Sequence, residues 1–362
     1  LRFGLISLGC AKNRVDSEEM LSILTDLGWD ITVDPGEAEM IIINTCGFID
    51  SAKEESIEQI LEMAQYKKKG RCKYLIVTGC LAQRFAKELL EEIPEIDGIL
   101  GTGDYFRVGD IVDKIAKGEK VVHVSRPDFL KEKASRILTT PFYSAYLKIA
   151  EGCNNHCSYC VIPSLRGKYR SKKKESIIYE AEELVSKGVK ELILVAQDTS
   201  NYGYDLYGRP ALADLLHQLQ EISGLYWIRV LYLHPSHMDG RLIEAFAGLS
   251  KVAKYIDIPL QHASPKVLRR MNRTGSGEEY LRLLNTLREK IPGVFLRSTF
   301  MIGFPGETGE DFQYLLRFLQ QAQLDRVGFF KYSREEGTIA YGLTPQIPEK
   351  EKEKRLQIIS FC

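Results

Sequence analysis

The chain has 362 residues, 44% hydrophobic and 27% charged, which is enough for two or three domains with sizeable cores and ordinary for a soluble globular protein. Lys and Arg together number 49, as do Asp and Glu, which argues against binding to nucleic acid mainly through overall charge and leaves room for a local basic patch. No apolar run approaches the ~20 residues of a membrane span, Leu1-Arg2-Phe3-Gly4-Leu5-Ile6 is no signal peptide, and the 8 cysteines are spaced like metal ligands in a reducing compartment, so the expected location is cytoplasmic.

Residues 3–8 are an apolar run expected to form a buried strand, ending at Gly9-Cys10. A helix is expected next, with Asp16-Ser17-Glu18-Glu19 near its start and Val15, Met20, Leu21, Leu24 and Leu27 apolar. Strands are expected at 29–33, 40–45 and 74–79, the last two ending at Cys46-Gly47 and at Cys80. Ile57, Ile60, Leu61 and Ala64 make one face of a helix closed by Gly70. A helix near 85–93, a strand at 96–100 and a helix at 108–116 complete this part. Fully apolar strands alternating with helices imply a parallel sheet covered on both faces. Ligands bind such sheets beyond the carboxyl ends of the strands. Cys10, Cys46 and Cys80 each stand just past such an end, and in a flavodoxin-like order, 2-1-3-4-5, their strands are neighbours. The three thiols should therefore converge as a metal site. Cys72 precedes its strand and Cys362 ends the chain, so neither is assigned a role.

These residues, 1–130, are expected to be one domain, followed by a polar linker at 131–142. From 143 to 335 strand and helix alternate, with strands at 144–149, 192–195, 227–233, 255–258, 294–302 and 327–332. Six units suggest a partial (β/α)6 barrel, whose active site lies at the carboxyl ends of its strands. The fold class is thus α/β, a flavodoxin-like parallel sheet plus a partial barrel. Polar clusters stand at the strand ends: Gln197-Asp198-Thr199, His234-Pro235-Ser236-His237, Pro259-Leu260-Gln261-His262 and Gly303-Phe304-Pro305-Gly306-Glu307. Pro and Gly also punctuate ordinary loops, but placement on one rim favours function at Gln197, Asp198 and Gln261. The dense basic run at 166–174 reads as a solvated face at Lys172, Lys173 and Lys174, although its position also allows docking of an acidic partner. Residues 336–362 read as a charged, partly helical tail.

The first barrel strand delivers Glu151-Gly152-Cys153-Asn154-Asn155-His156-Cys157-Ser158-Tyr159-Cys160. A zinc ribbon wants two cysteine pairs. This spacing suits an iron–sulfur cluster held by three thiolates with one iron left open. Gly152 before the first cysteine and two Asn after it let the backbone curl around a bulky core. Buried free thiols are the bland alternative, and a zinc site with His156 as fourth ligand is the stronger competitor.

Cys153-x3-Cys157-x2-Cys160 after a barrel strand, Tyr159 before the last cysteine, six strand–helix units and Gly303-Phe304-Pro305-Gly306-Glu307-Thr308 together resemble the radical S-adenosylmethionine enzymes. With Cys10, Cys46 and Cys80 the chain resembles the radical S-adenosylmethionine methylthiotransferase family over essentially its whole length. Residues 7–18 and Val195-Ala196-Gln197-Asp198-Thr199 resemble the ribosomal-protein aspartate branch more than the transfer-RNA branch. The resemblance implies two 4Fe–4S clusters and S-adenosylmethionine as cofactors. Cys153, Cys157 and Cys160 would hold the radical SAM cluster, whose open iron chelates S-adenosylmethionine. Cys10, Cys46 and Cys80 would hold an auxiliary cluster, whose open iron takes an exogenous sulfur. The implied reaction inserts a methylthio group at the β-carbon of an aspartate in a ribosomal small-subunit protein, and the alternative is methylthiolation of an adenosine in transfer RNA. Tyr159, Gln197, Asp198, Gln261, Gly303 and Glu307 are the implied cofactor contacts, with no catalytic side chain beyond the clusters. The implied partners are the ribosomal protein, an electron donor and a sulfur donor, without a membrane. An iron left open for a cofactor makes His156 a loop residue. The all-β C-terminal module usual in the family is expected to be absent from these residues, and the missing initiator Met points to a longer gene product.

Overall fold

The structure, a computed structural model, describes residues 1–360 except 129 and 133. Lys133 of the expected linker and Cys362 therefore lie outside the described residues. The chain divides into two compact units, one of Leu1–Phe142, Glu151–Cys153 and Ile162–Arg170, the other of Tyr143–Ala150, Asn154–Val161 and Ser171–Cys362.

The first unit contains β1 (Arg2–Ser7), β2 (Asp30–Ile31), β3 (Met40–Thr45), β4 (Tyr74–Gly79), β5 (Gly98–Leu100) and β6 (Val121–His123). They form one parallel sheet in the order 2-1-3-4-5-6, the expected order extended by an edge strand. The alternation of side chains along a strand explains the two cores. Met40 and Ile42 join Phe3, Met20 and Leu24 on one face, while Ile41 and Ile43 join Ile60, Leu75 and Val77 on the other. The strand expected at 29–33 shrinks to two residues, because it pairs on one side only and its end projects into solvent, with Val33 99% exposed. The helix expected near 85–93 instead starts at Cys80 and runs to Glu92, with Phe85 at non-helical φ −132°, ψ 36°. β4 turns straight into it. Within the expected linker, Thr139 donates to Glu18 Oε1 from both N–H and hydroxyl at 2.9 Å, so those residues pack into this unit.

The barrel strands among the described residues of the second unit number six, all parallel. Ser144–Lys148, Glu191–Val195 and Trp227–Val230 form one ladder, and Tyr255–Asp257, Phe295–Ile302 and Arg326–Lys331 form the other. A parallel bridge from Ile228 to Val252 and the bond from Leu233 N–H to Asp257 O (2.9 Å) join them, so the strands follow chain order as a partial barrel. The tail forms a packed helix, Glu349–Ile359, whose Lys352 donates to Tyr332 O at 2.9 Å.

The solvated-face reading of the basic run is corrected at Lys172. Its side chain is fully buried against Glu180 at 2.9 Å, because residue 172 bonds back to Ile149 and cannot reach water.

Candidate metal centres

The cysteines of the first unit arise where strands become helices. Cys10 caps α1 (Ala11–Asp26), Cys46 follows β3, and Cys80 opens the helix Cys80–Glu92. Two of the three thus stand at helix N-termini, whose unpaired N–H groups favour negative charge. Their turns touch. A Cβ on Gly9 would lie 2.9 Å from Cys46 Cβ and 3.1 Å from its Sγ, and one on Gly47 would lie 2.9 Å from the carbonyl carbon of Cys80. Only residues without a side chain permit that approach.

One amide ties the three turns together. Asn13 Nδ2 donates to Leu8 O (3.0 Å) and Thr45 O (2.9 Å), while its Oδ1 lies 3.9 Å from Cys80 Sγ. Asn44 in turn donates to Asn13 O and to Ser17 Oγ. Arg166, fully buried, donates to Asn13 Oδ1 from one nitrogen and from the other to Asp16 at 2.7 Å and Glu151 at 3.2 Å. Burial pushes the Cys46 thiol up and the Cys80 thiol up to about 11, and the Arg166 charge opposes both shifts. The three cysteines are free, and exposure rises from buried Cys80 through Cys46 to exposed Cys10, so the site opens on the Cys10 side. An all-thiol donor set with three members fits a cluster that keeps one iron open.

The second set is carried by one loop. Cys153, in the first unit, donates its N–H to Gly167 O at 3.1 Å. Cys157 and Cys160, in the second, sit on a turn closed by the bond from Cys160 N–H to Cys157 O (3.1 Å). That turn is clamped to the end of the helix Pro265–Arg270. Ser158 donates N–H to Met271 O and Oγ to Arg270 O, Asn272 donates to His156 O, and Arg273 donates to Cys157 Sγ at 3.7 Å. His156 is itself exposed.

Among the expected cofactor contacts, Tyr159 packs edge-on against Phe304 at 6.3 Å, which brings it to the loop that follows the fifth strand. Burial raises its phenol well above the usual value against the opposing charge of Arg273, so it stays neutral. Gln261 has φ +70°, and its side-chain oxygen is buried without a hydrogen-bond partner among the described residues. A strained backbone carrying an unmet acceptor is the kind of feature found at ligand sites. Gln197 is half-buried past the second strand. The Asp198 carboxylate accepts from Asn155, Ser200, the Asn201 N–H and His237. Its ligand atom and those of His234 and His237 lie within 4.8 Å of one another. With so many donors already on the carboxylate, this group reads as a hydrogen-bonded rim. Gly303 and Glu307 build their own loop: Glu307 Oε2 accepts from the N–H of Gly303 (2.7 Å) and Phe304 (3.2 Å), and Oε1 pairs with Arg355 at 2.7 Å. The side-chain contacts of Asn13, Asn155, Arg166 and Arg273 are not expected from sequence, where Asn155 is only a loop residue after Cys153. Asn13 sat in a motif read for its pattern, and Arg166 in a charge run that hid its burial.

His262 lies beneath this rim, fully buried, with Nδ1 accepting from Ser264 N–H at 2.9 Å. Burial, with help from Arg355 and against Asp311, holds its pKa down at about 3. An unfolded histidine titrates near 6.5, so between those values the unfolded chain binds the extra proton and stability falls as pH falls. His262→Asn, which keeps an acceptor for Ser264, is expected to flatten urea midpoints of the metal-free chain between pH 6.5 and 5, by up to about 1.4 kcal/mol per pH unit. An unchanged slope would refute this account.

The Radical SAM superfamily matches residues 147–319, and the family described as "Uncharacterized protein family UPF0004" matches residues 2–101. The chain is 52% identical, over 98% of its length and 81% of the relative, to "Ribosomal protein uS12 methylthiotransferase RimO" of Thermoanaerobacter sp. (strain X514). Proteins of the same name from Pelotomaculum thermopropionicum (54% identity, 97% and 80% coverage) and Clostridioides difficile (48%, 98% and 80%) are similar over the same extent. Among solved structures, the radical S-adenosylmethionine methyltransferase TsrM of Kitasatospora setae, with cobalamin and a [4Fe-4S] cluster bound, is alike in fold (TM-score 0.64, 15% identity, 91% of this chain and 74% of that one).

Proposed function

The chain belongs to the ribosomal protein uS12 methylthiotransferase RimO family, and on that premise we propose that it attaches a methylthio group to the β-carbon of an aspartate of that ribosomal protein. It is a radical S-adenosylmethionine enzyme, and its cofactors are S-adenosylmethionine and two 4Fe–4S clusters. When bound, these supply one-electron chemistry at an unactivated carbon and a place for the transferred sulfur, which no side-chain acid or base could provide.

In this reading Cys10, Cys46 and Cys80 hold the auxiliary cluster, and Cys153, Cys157 and Cys160 hold the other. Residues 1–130 serve the first site and the barrel at 143–335 serves S-adenosylmethionine. Tyr159 and Phe304 give the cofactor an apolar wall that keeps water out. Gln261 offers its unmet oxygen to a donor on the cofactor. Asp198 holds Asn155 and so orients the loop between Cys153 and Cys157. Glu307 acts by holding the amides of Gly303 and Phe304 in place. An electron donor and a sulfur donor complete the reaction. No helix among the described residues is long and apolar enough to cross a membrane, and we place the reaction in the cytoplasm.

The observation that carries this reading is the mutual contact of the three turns bearing Cys10, Cys46 and Cys80. Such a site has no use in an enzyme that only abstracts hydrogen. Mass spectrometry of uS12 from a strain lacking the gene should show loss of the methylthio mark, restored by the gene. A retained mark, with loss of a methylthio nucleoside from transfer RNA, would move the activity to the other branch.

A further inference from the structure

Arg166 is a buried cation in the first unit, and the reaction as described gives it no task. Its side chain is 2% exposed. It meets two carboxylates, Asp16 at 2.7 Å and Glu151 at 3.2 Å, and the amide oxygen of Asn13. That amide oxygen also lies 3.9 Å from Cys80 Sγ. Because Arg166 donates to Oδ1, the Asn13 NH2 group is turned toward Leu8 O and Thr45 O, the carbonyls that precede the Cys10 and Cys46 turns. Glu151, the other anchor, lies two residues before Cys153, and Gly167, next to Arg166, accepts the Cys153 N–H at 3.1 Å.

A buried ion group of this kind is a poor stabiliser. Desolvation of each ion is costly, and a well-packed apolar replacement is often as stable. Burial in a low-dielectric interior does, however, magnify the effect of a charge on anionic neighbours. A cluster on three thiolates is such a neighbour.

We propose that Arg166 is the positioning residue of the N-terminal cysteine site, fixing Asn13 across the three turns and supplying the positive charge that sets the reduction potential of the cluster held there, while Glu151 joins the same cation to the segment bearing Cys153. The inference rests on the two-cluster reading given above. A cation close to the cluster favours its reduced, more negative state, so its removal must lower the potential. Removal of one of its carboxylates must raise it.

The test is a redox titration of the anaerobically reconstituted chain, followed by electron paramagnetic resonance. The auxiliary signal is the one that S-adenosylmethionine does not alter. Iron and sulfide content of the unaltered chain decides the two-cluster reading separately: about eight of each supports it, and about four defeats it whatever Arg166 does. Arg166→Met is expected to move the auxiliary midpoint to more negative potential or to lose that cluster, and Arg166→Lys to restore the cluster with a midpoint near that of the unaltered chain. Glu151→Gln, which keeps an acceptor for the guanidinium, is expected to move the midpoint the other way, and it decides the matter if Arg166→Met does not fold. Midpoints unchanged in Glu151→Gln, or in a fully loaded Arg166→Met, would overturn the proposal.

Discussion

Replacing Cys10, Cys46 and Cys80 together by alanine is expected to lower the iron of the reconstituted chain from about eight to about four atoms and to abolish methylthio transfer, while S-adenosylmethionine is still cleaved to 5′-deoxyadenosine. The separation follows from where the ligands arise. The trio is built on β1, β3 and β4, which belong wholly to the first unit, whereas Cys157 and Cys160 are clamped by residues 270–273 of the second. Deleting three thiols at strand ends removes no buried apolar core, since the sheet is held by Phe3, Met40, Ile41, Ile42 and Ile43. Iron analysis and chromatography of the nucleoside product check both halves. Simultaneous loss of 5′-deoxyadenosine in a chain that still binds about four irons would contradict independent roles for the two sets.

Gly152→Ala is expected to destabilise the chain by ~3 kcal/mol or more and to cost it the second cluster. Gly152 has φ +79°, and a Cβ there would lie 2.1 Å from Lys168 O and 2.6 Å from Gly167 O. These are backbone atoms, and Gly167 O already holds the Cys153 N–H, so neither side can yield without moving Cys153. Gly118→Ala is the control: its φ is +85°, but nothing lies within 4 Å of the added carbon. It should show only the left-handed backbone cost, about 1–2 kcal/mol. Thermal melts and iron content of the two variants separate strain from collision. Equal losses would mean that the close approach at Gly152 is unimportant.

Much of the site was legible because ligand spacing is a local property. Three cysteines in one loop make a candidate metal set before any fold is known, and apolar runs that end in Cys imply a strand that ends in Cys. Asp198 and Gln261 could be placed at strand ends by the same logic. Their partners could not. That Asp198 meets Asn155, or that the oxygen of Gln261 is left unmet, depends on backbone turns far apart in sequence. The basic run shows the limit most plainly. Arg166 and Lys172 look alike as letters, yet one is buried against Asp16 and Glu151 and the other against Glu180. Charge pattern reports a preference for water, and tertiary pairing overrides it when a carboxylate is supplied.

The amino-acid sequence by itself determined the parallel sheet, the six-strand barrel and which six cysteines are candidate ligands, since apolar periodicity and cysteine spacing are written residue by residue. Only the tertiary structure decided that one amide, Asn13, would join three turns from different strands and that a single buried guanidinium would stand behind it. Long-range packing brings residues 13 and 166 together, and no local preference encodes a contact across that separation.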